Sequence, residues 1–123
     1  LQALIDKGLL DYVAMDVKAP LQRYAEIARA PIDTNAIQKS ITLLERSTVP
    51  HEFRLTFAPQ LTEDDAVETA RLVKGCKRFY LQQYNPRNDN DPAAHSPQVI
   101  RRTAERIRQE IGVCIVRGIG PEA

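Results

Sequence analysis

Hydrophobic positions along this chain change period several times, and each change marks an element. In residues 11–20, Val13, Met15 and Val17 alternate with Ala14, Asp16 and Lys18. That two-residue period predicts a short buried strand, ended by Ala19-Pro20. Upstream, Leu1, Leu4 and Ile5 fall at helical spacing and Gly8 stands where a helix ends in the left-handed conformation. The chain thus reads as opening on the last two turns of a helix, and is expected to be the C-terminal part of something longer.

After a loop with a short helix near Tyr24–Ala28, Ile37, Ile41 and Leu44 recur at helical spacing behind a cap at Asp33 or Thr34. Residues 51–58 are rich in aromatic and β-branched side chains and stop at Pro59, as a strand does. Thr62-Glu63-Asp64-Asp65 is a helix start with acids in the positive first turn, and Ala66, Val67, Ala70 and Val73 form the buried stripe before Gly75. A strand over 78–84 follows, then a polar loop, 85–92, not expected to hold itself in one conformation. Ser96-Pro97 supplies an N-cap and an N1 proline for a helix to about residue 111, with Ile100, Ala104, Ile107 and Ile111 as its stripe. Residues 113–117 make a last strand before a Gly/Pro tail. The order α-β-α-β-α-β-α-β calls for an α/β fold with a parallel sheet. It fits half of a larger (β/α) barrel or a small doubly wound sheet, and the helix remnant at the start favours the half barrel.

Composition narrows the classes. The chain has 123 residues, 43% hydrophobic and 27% charged, as in an ordinary globular domain with a real core. Its net charge of +1 gives no argument for nucleic acid or an anionic membrane as partner. No apolar run approaches a membrane span. The two cysteines, Cys76 and Cys114, are neither a CxxC pair nor a disulfide framework, which suits a reducing cytoplasm.

Candidate chemistry gathers at strand ends. Asp16 and Lys18 share a strand face, about 7 Å apart, just where ligand sites of parallel α/β proteins collect. They are either an internal ion pair or part of a site. In the second strand the apolar Phe53, Leu55 and Phe57 should face helices, which turns Arg54 and Thr56 to the other side. An interior Arg suits a carboxylate or phosphate through its planar fork; alternatively Arg54 pairs with Asp16. Gln82 and Gln83 put one amide on each face, for a ribose or adenine edge or only for their neighbours. Arg101, Arg102, Arg106 and Arg108 lie off the helical stripe, as a solvated face or an anion patch. His51 and His95 read as surface residues without a metal cluster, and no phosphate-cradling glycine motif occurs. Cys114 reads as a small core residue.

Three stretches, Asp11-Tyr-Val-Ala-Met-Asp-Val-Lys-Ala-Pro20, His51-Glu-Phe-Arg-Leu-Thr-Phe-Ala-Pro59 with Leu61-Thr-Glu-Asp64, and Arg78-Phe-Tyr-Leu-Gln-Gln-Tyr84, occur in an order and spacing that resembles the radical S-adenosylmethionine activating enzymes. The likeness is greatest to the anaerobic ribonucleoside-triphosphate reductase activating proteins and extends over nearly the whole chain. The resemblance implies the C-terminal half of a partial (β/α)6 TIM-like barrel. It also implies S-adenosylmethionine and a 4Fe–4S cluster as cofactors, and a glycyl-radical enzyme as partner. It places Asp16, Lys18 and Arg54 at the S-adenosylmethionine site, with Arg54 toward the methionine carboxylate, and a nucleoside contact near Gln83 or Asn85. The family's CxxxCxxC cluster loop and its Gly-Gly-Glu-Pro stretch are missing from these residues, so the chain is expected to carry half a site and to be inactive alone. A cluster-free nucleotide-binding or protein-interaction module is the alternative. An open half barrel would leave strand edges exposed, so self-association is expected.

Overall fold

The structure, a computed structural model, describes residues 2–119. Leu1 of the opening helix and the end of the Gly/Pro tail lie outside the described residues. The elements run α1 (Gln2–Asp6), β1 (Val13–Asp16), α2 (Tyr24–Ala28), α3 (Thr34–Arg46), β2 (His51–Phe57), α4 (Glu63–Arg71), β3 (Phe79–Gln83), α5 (Pro97–Ile111) and β4 (Ile115–Arg117). A single 3-10 turn at Leu21–Arg23 leads into α2. Among the described residues no helix is long and apolar enough to cross a membrane.

Local chemistry sets the helix ends. Asp33 caps α3, its carboxylate accepting from the Asn35 N–H at 2.9 Å. At α4 the Thr62 hydroxyl accepts from the Asp65 N–H and the Asp65 carboxylate accepts from the Thr62 N–H, a reciprocal capping box. The Ser96 hydroxyl accepts from the Val99 N–H, Pro97 opens α5, and Gly112 (φ +87°) ends it by donating to the Arg108 carbonyl at 2.8 Å. Helix α4 stops at Arg71, and a turn over 72–75 carries the chain on to Gly75.

The four strands are all parallel and lie in the order β1-β2-β3-β4, each beside its predecessor. A doubly wound sheet would reverse direction at a switch point. Among the four described strands no reversal occurs. The sequential parallel sheet is consistent with part of a radical S-adenosylmethionine fold. One sheet face is apolar: Phe53, Leu55, Phe57, Phe79 and Leu81 are fully buried and join Ile41, Leu44, Val67, Ile100 and Ile107 from the helices in a single core. At about 25 cal/mol per Å2 of apolar surface, such side chains contribute roughly 1.5–3 kcal/mol each when fully buried.

The opposite face is polar and open. Ala14, Asp16 and Thr56 are exposed there, and Arg54, Tyr80 and Gln82 half-buried. This corrects the expectation of a fully buried β1: its alternation is real, but only the Val13/Met15 side is covered. Asp16 therefore escapes the desolvation cost that a buried strand would impose. Across this face, the Tyr12 hydroxyl donates to Glu52 at 2.9 Å, and Arg117 reaches the other Glu52 oxygen at 3.4 Å while lying 3.5 Å over the Tyr80 ring. Glu52, 7% exposed, is thus a buried charge held by partners from both neighbouring directions.

Candidate functional site

Because all strands are parallel, their C-terminal ends share one edge, and the sequence-predicted residues of β1 and β2 converge there. Asp16 is in register with Arg54 across β1 and β2. The Arg54 Nε lies 3.1 Å from an Asp16 carboxylate oxygen, with side chains 32% and 59% exposed. The two are close but misaligned, so the buried Arg54 Nε–H has no hydrogen-bond acceptor. A donor left in that state costs about 1–3 kcal/mol. The pairing alternative for Arg54 is therefore realised in charge, while a hydrogen-bonding capacity stays unused. The Tyr24 hydroxyl donates to the Asp16 carbonyl at 3.5 Å, and the Val17 N–H to the Arg54 carbonyl at 2.8 Å, which hold the strand end in place.

Beside this pair is a cleft of about 430 Å3 lined by Asp16, Lys18, Ile27, Thr56, Tyr84 and Arg87, among others. Lys18 is exposed. Among the described residues no hydrogen bond or ion pair engages the Lys18 ammonium or the Arg87 guanidinium. Gln83, by contrast, is in register with the core-facing Phe57, and its amide donates to the His95 carbonyl at 3.2 Å. It sits on the helix side of the sheet, and Gln82 is the glutamine that faces the open side. Asn85 is exposed in the loop beyond β3 and is not among the residues lining the cleft. The residues that β3 and its loop do bring to the cleft are Tyr84 and Arg87. Tyr84 was within reach of the alternation, which puts it on the face of Tyr80 and Gln82. Arg87 was not, since no period governs a loop.

The surroundings differ from expectation in three places. His95 is half-buried: its Nε2–H lies 2.9 Å from the Leu61 carbonyl and 3.2 Å from that of Ala58, and its ring stacks on Phe57 at 3.9 Å. It ties the segment before α5 to the β2–α4 turn. The polar loop is organised by Asp91, whose carboxylate accepts from the Arg87 and Asn88 N–H groups. Finally, Arg102 and Arg106 of α5 pair with Glu63 and Asp64 at the start of α4, and Arg108 pairs with Glu105. Arg102 and Arg106 hold helix against helix, while the Arg108 pair stays within α5. Arg23, unremarked in the sequence, bridges Glu26, Asp65 and the Gln60 carbonyl.

A second cleft, about 370 Å3, lies at the opposite strand ends among Glu45, His51, Lys74, Cys76, Lys77 and Arg78. In parallel α/β proteins that end serves stability, while chemistry gathers at the C-terminal end. A cluster site fares worse. Cys76 and Cys114 are both buried and free. Desolvation pushes their thiols up to about 11 and about 12, and a cluster takes thiolates from more than two cysteines. Among the described residues no group of three or more His, Cys, Asp or Glu could hold a metal ion. The residues present do not fit a 4Fe–4S cluster.

Over 96 residues the chain is 35% identical to a curated protein of Methanocaldococcus jannaschii, provisionally named a glycyl-radical enzyme activating enzyme. The match supports the glycyl-radical activating-enzyme family. It covers 74% of this chain and 40% of that protein, so the chain spans about two-fifths of the length of the activating enzyme it matches. No family model matches, and no solved structure does.

Proposed function

We propose that this chain forms the S-adenosylmethionine-binding side of a radical activating enzyme, whose partner is a glycyl-radical enzyme of the anaerobic ribonucleoside-triphosphate reductase kind, in a reducing cytoplasm. The observation that carries the proposal is the open cleft at the C-terminal strand edge, which brings the exposed Asp16 carboxylate, backed by Arg54, together with Lys18 and Thr56. The amino-acid end of S-adenosylmethionine presents an ammonium and a carboxylate. Asp16, more than half exposed, can accept from the first. Lys18, with the part-exposed outer end of the Arg54 side chain, can serve the second, and charge-assisted bonds of this kind are the strong ones. Thr56 adds a hydroxyl to the same cleft. Bound S-adenosylmethionine is, in this family, the source of the adenosyl radical that takes a hydrogen from the partner's glycine. This chain's residues bind and orient the molecule. They offer no cluster to reduce it, so the chain is inactive alone.

Calorimetric titration with S-adenosylhomocysteine tests the reading. Wild-type chain should bind, and Asp16→Asn should bind about tenfold more weakly, the loss of one charged hydrogen bond. No binding by the wild type, or equal binding by the variant, would refute the assignment. ATP or adenosine binding as tightly as S-adenosylhomocysteine would instead favour a general nucleotide-binding module.

A further inference from the structure

The cleft at the strand ends contains more positive charge than its own acid balances: Asp16 faces Arg54, while Lys18 and Arg87 have no partner among the described residues. Most arginines near the helices of this molecule are differently employed. Arg23, Arg71, Arg102 and Arg106 are each committed to carboxylates of another element. The guanidinium of Arg87 is uncommitted, yet its backbone is not. The Asp91 carboxylate accepts from the Arg87 N–H at 2.6 Å and the Asn88 N–H at 3.3 Å, and the Asn88 side chain accepts from the Asn90 N–H at 2.9 Å. These side-chain bonds close the loop at the root of Arg87, leaving its long side chain at the cleft.

Resting on the S-adenosylmethionine reading above, we infer that Arg87 is a further ligand-contacting residue, which together with Lys18 holds the carboxylate of the bound amino-acid nucleoside. Its planar fork matches a carboxylate with two parallel N–H donors, while the Lys18 ammonium acts as a point charge on the other side. Arg54 is less free for this role, because Asp16 already sits against it. Asp91 acts through Arg87 as a positioning residue. Tyr84, between β3 and the loop, walls the same end of the cleft.

The chain is titrated with S-adenosylhomocysteine and, separately, with 5′-methylthioadenosine, which keeps the nucleoside and lacks the amino-acid carboxylate. Arg87→Ala should weaken the first about tenfold and leave the second unchanged, with Arg87→Lys, which keeps the charge but not the fork, recovering only part of the loss. Asp91→Ala should weaken only the first, by less. The melting temperature of Arg87→Ala should equal that of the wild type, since the side chain has no hydrogen-bond or ion-pair partner among the described residues to lose. The inference is overturned if Arg87→Ala binds S-adenosylhomocysteine within about twofold of wild type, if it loses both nucleosides equally, or if it melts several degrees lower. Wild-type chain that binds both nucleosides equally well overturns the carboxylate contact while sparing the nucleoside site. Wild-type chain that binds neither overturns the S-adenosylmethionine reading itself.

Discussion

Replacing Arg54 with Met separates what the residue does for the fold from what it does for a ligand. The substitution keeps most of the aliphatic stem packed against the sheet and removes the guanidinium. Three contributions decide the stability change. The pair with Asp16, at 3.1 Å but with side chains 32% and 59% exposed, is worth about 0–1 kcal/mol. The buried Nε–H without an acceptor costs about 1–3 kcal/mol, which the variant recovers. A volume-conserving swap adds strain of up to about 1.5 kcal/mol. The sum lies near zero or slightly in favour of the variant. For a chain of this size 1 kcal/mol moves the melting temperature by about 4 °C, so Arg54→Met should melt at or a few degrees above the wild type. Its affinity for S-adenosylhomocysteine should nevertheless fall by up to about tenfold, because Arg54 orients Asp16 and adds at most one charged hydrogen bond to the ligand. Differential scanning calorimetry and titration on the same sample read both quantities. A melting temperature lowered by about 4 °C or more would show that Arg54 is held by the fold rather than held ready, and the reasoning would fail.

Asp65 offers a pH test. Burial would raise its carboxyl, but the bonds from Thr62 and the Arg23 guanidinium outweigh burial and hold it below the usual carboxylate value. A folded value lower than the unfolded one stabilises above the unfolded value of about 3.9 and is lost as pH falls through the folded one. Asp65→Asn should therefore cost about 1 kcal/mol at neutral pH, with the gap to wild type closing in acid; a gap that persists unchanged would contradict the assignment. Cys76 and Cys114, buried and raised to about 11 and about 12 by desolvation, should resist a disulfide thiol reagent at neutral pH until denaturant is added. Immediate labelling of either in the native chain would show that burial does not protect it. Strands β1 and β4 are the sheet's two edges, and Tyr12 and Ile115 expose apolar surface beside them. The apparent mass by light scattering should rise with concentration, and a constant monomeric mass would count against edge pairing.

The local signals were legible because their chemistry is local. Ser96-Pro97, the Thr62 box and Gly112 act within a few residues of themselves, and each ends its helix where the sequence indicates. The alternation in β2 likewise separated Phe53, Leu55 and Phe57 from Arg54 and Thr56. What was not legible depends on residues far apart. Alternation gives two faces but not which one is covered, so β1 read as buried on both sides. Gln82 and Gln83 could be exchanged until Gln83 was seen against the His95 carbonyl. His95 itself is fixed by carbonyls more than thirty residues away, and the α5 arginines by acids on α4. The part of the candidate site on β1 and β2 follows from register, whereas Arg87 at the cleft depends on a loop closed by its own side chains.

The unbroken strand order β1-β2-β3-β4 has a consequence for how the chain is made. No strand must be threaded between two already paired, so each helix and strand that leaves the ribosome can dock on the growing edge of what came before. Every intermediate length is a smaller version of the same layered unit, and each new strand closes a single crossover onto the strand before it. Such growth is directional. The Asp16–Arg54 corner forms as soon as β2 has been synthesised, well before Arg87 and its loop exist to cover the cleft.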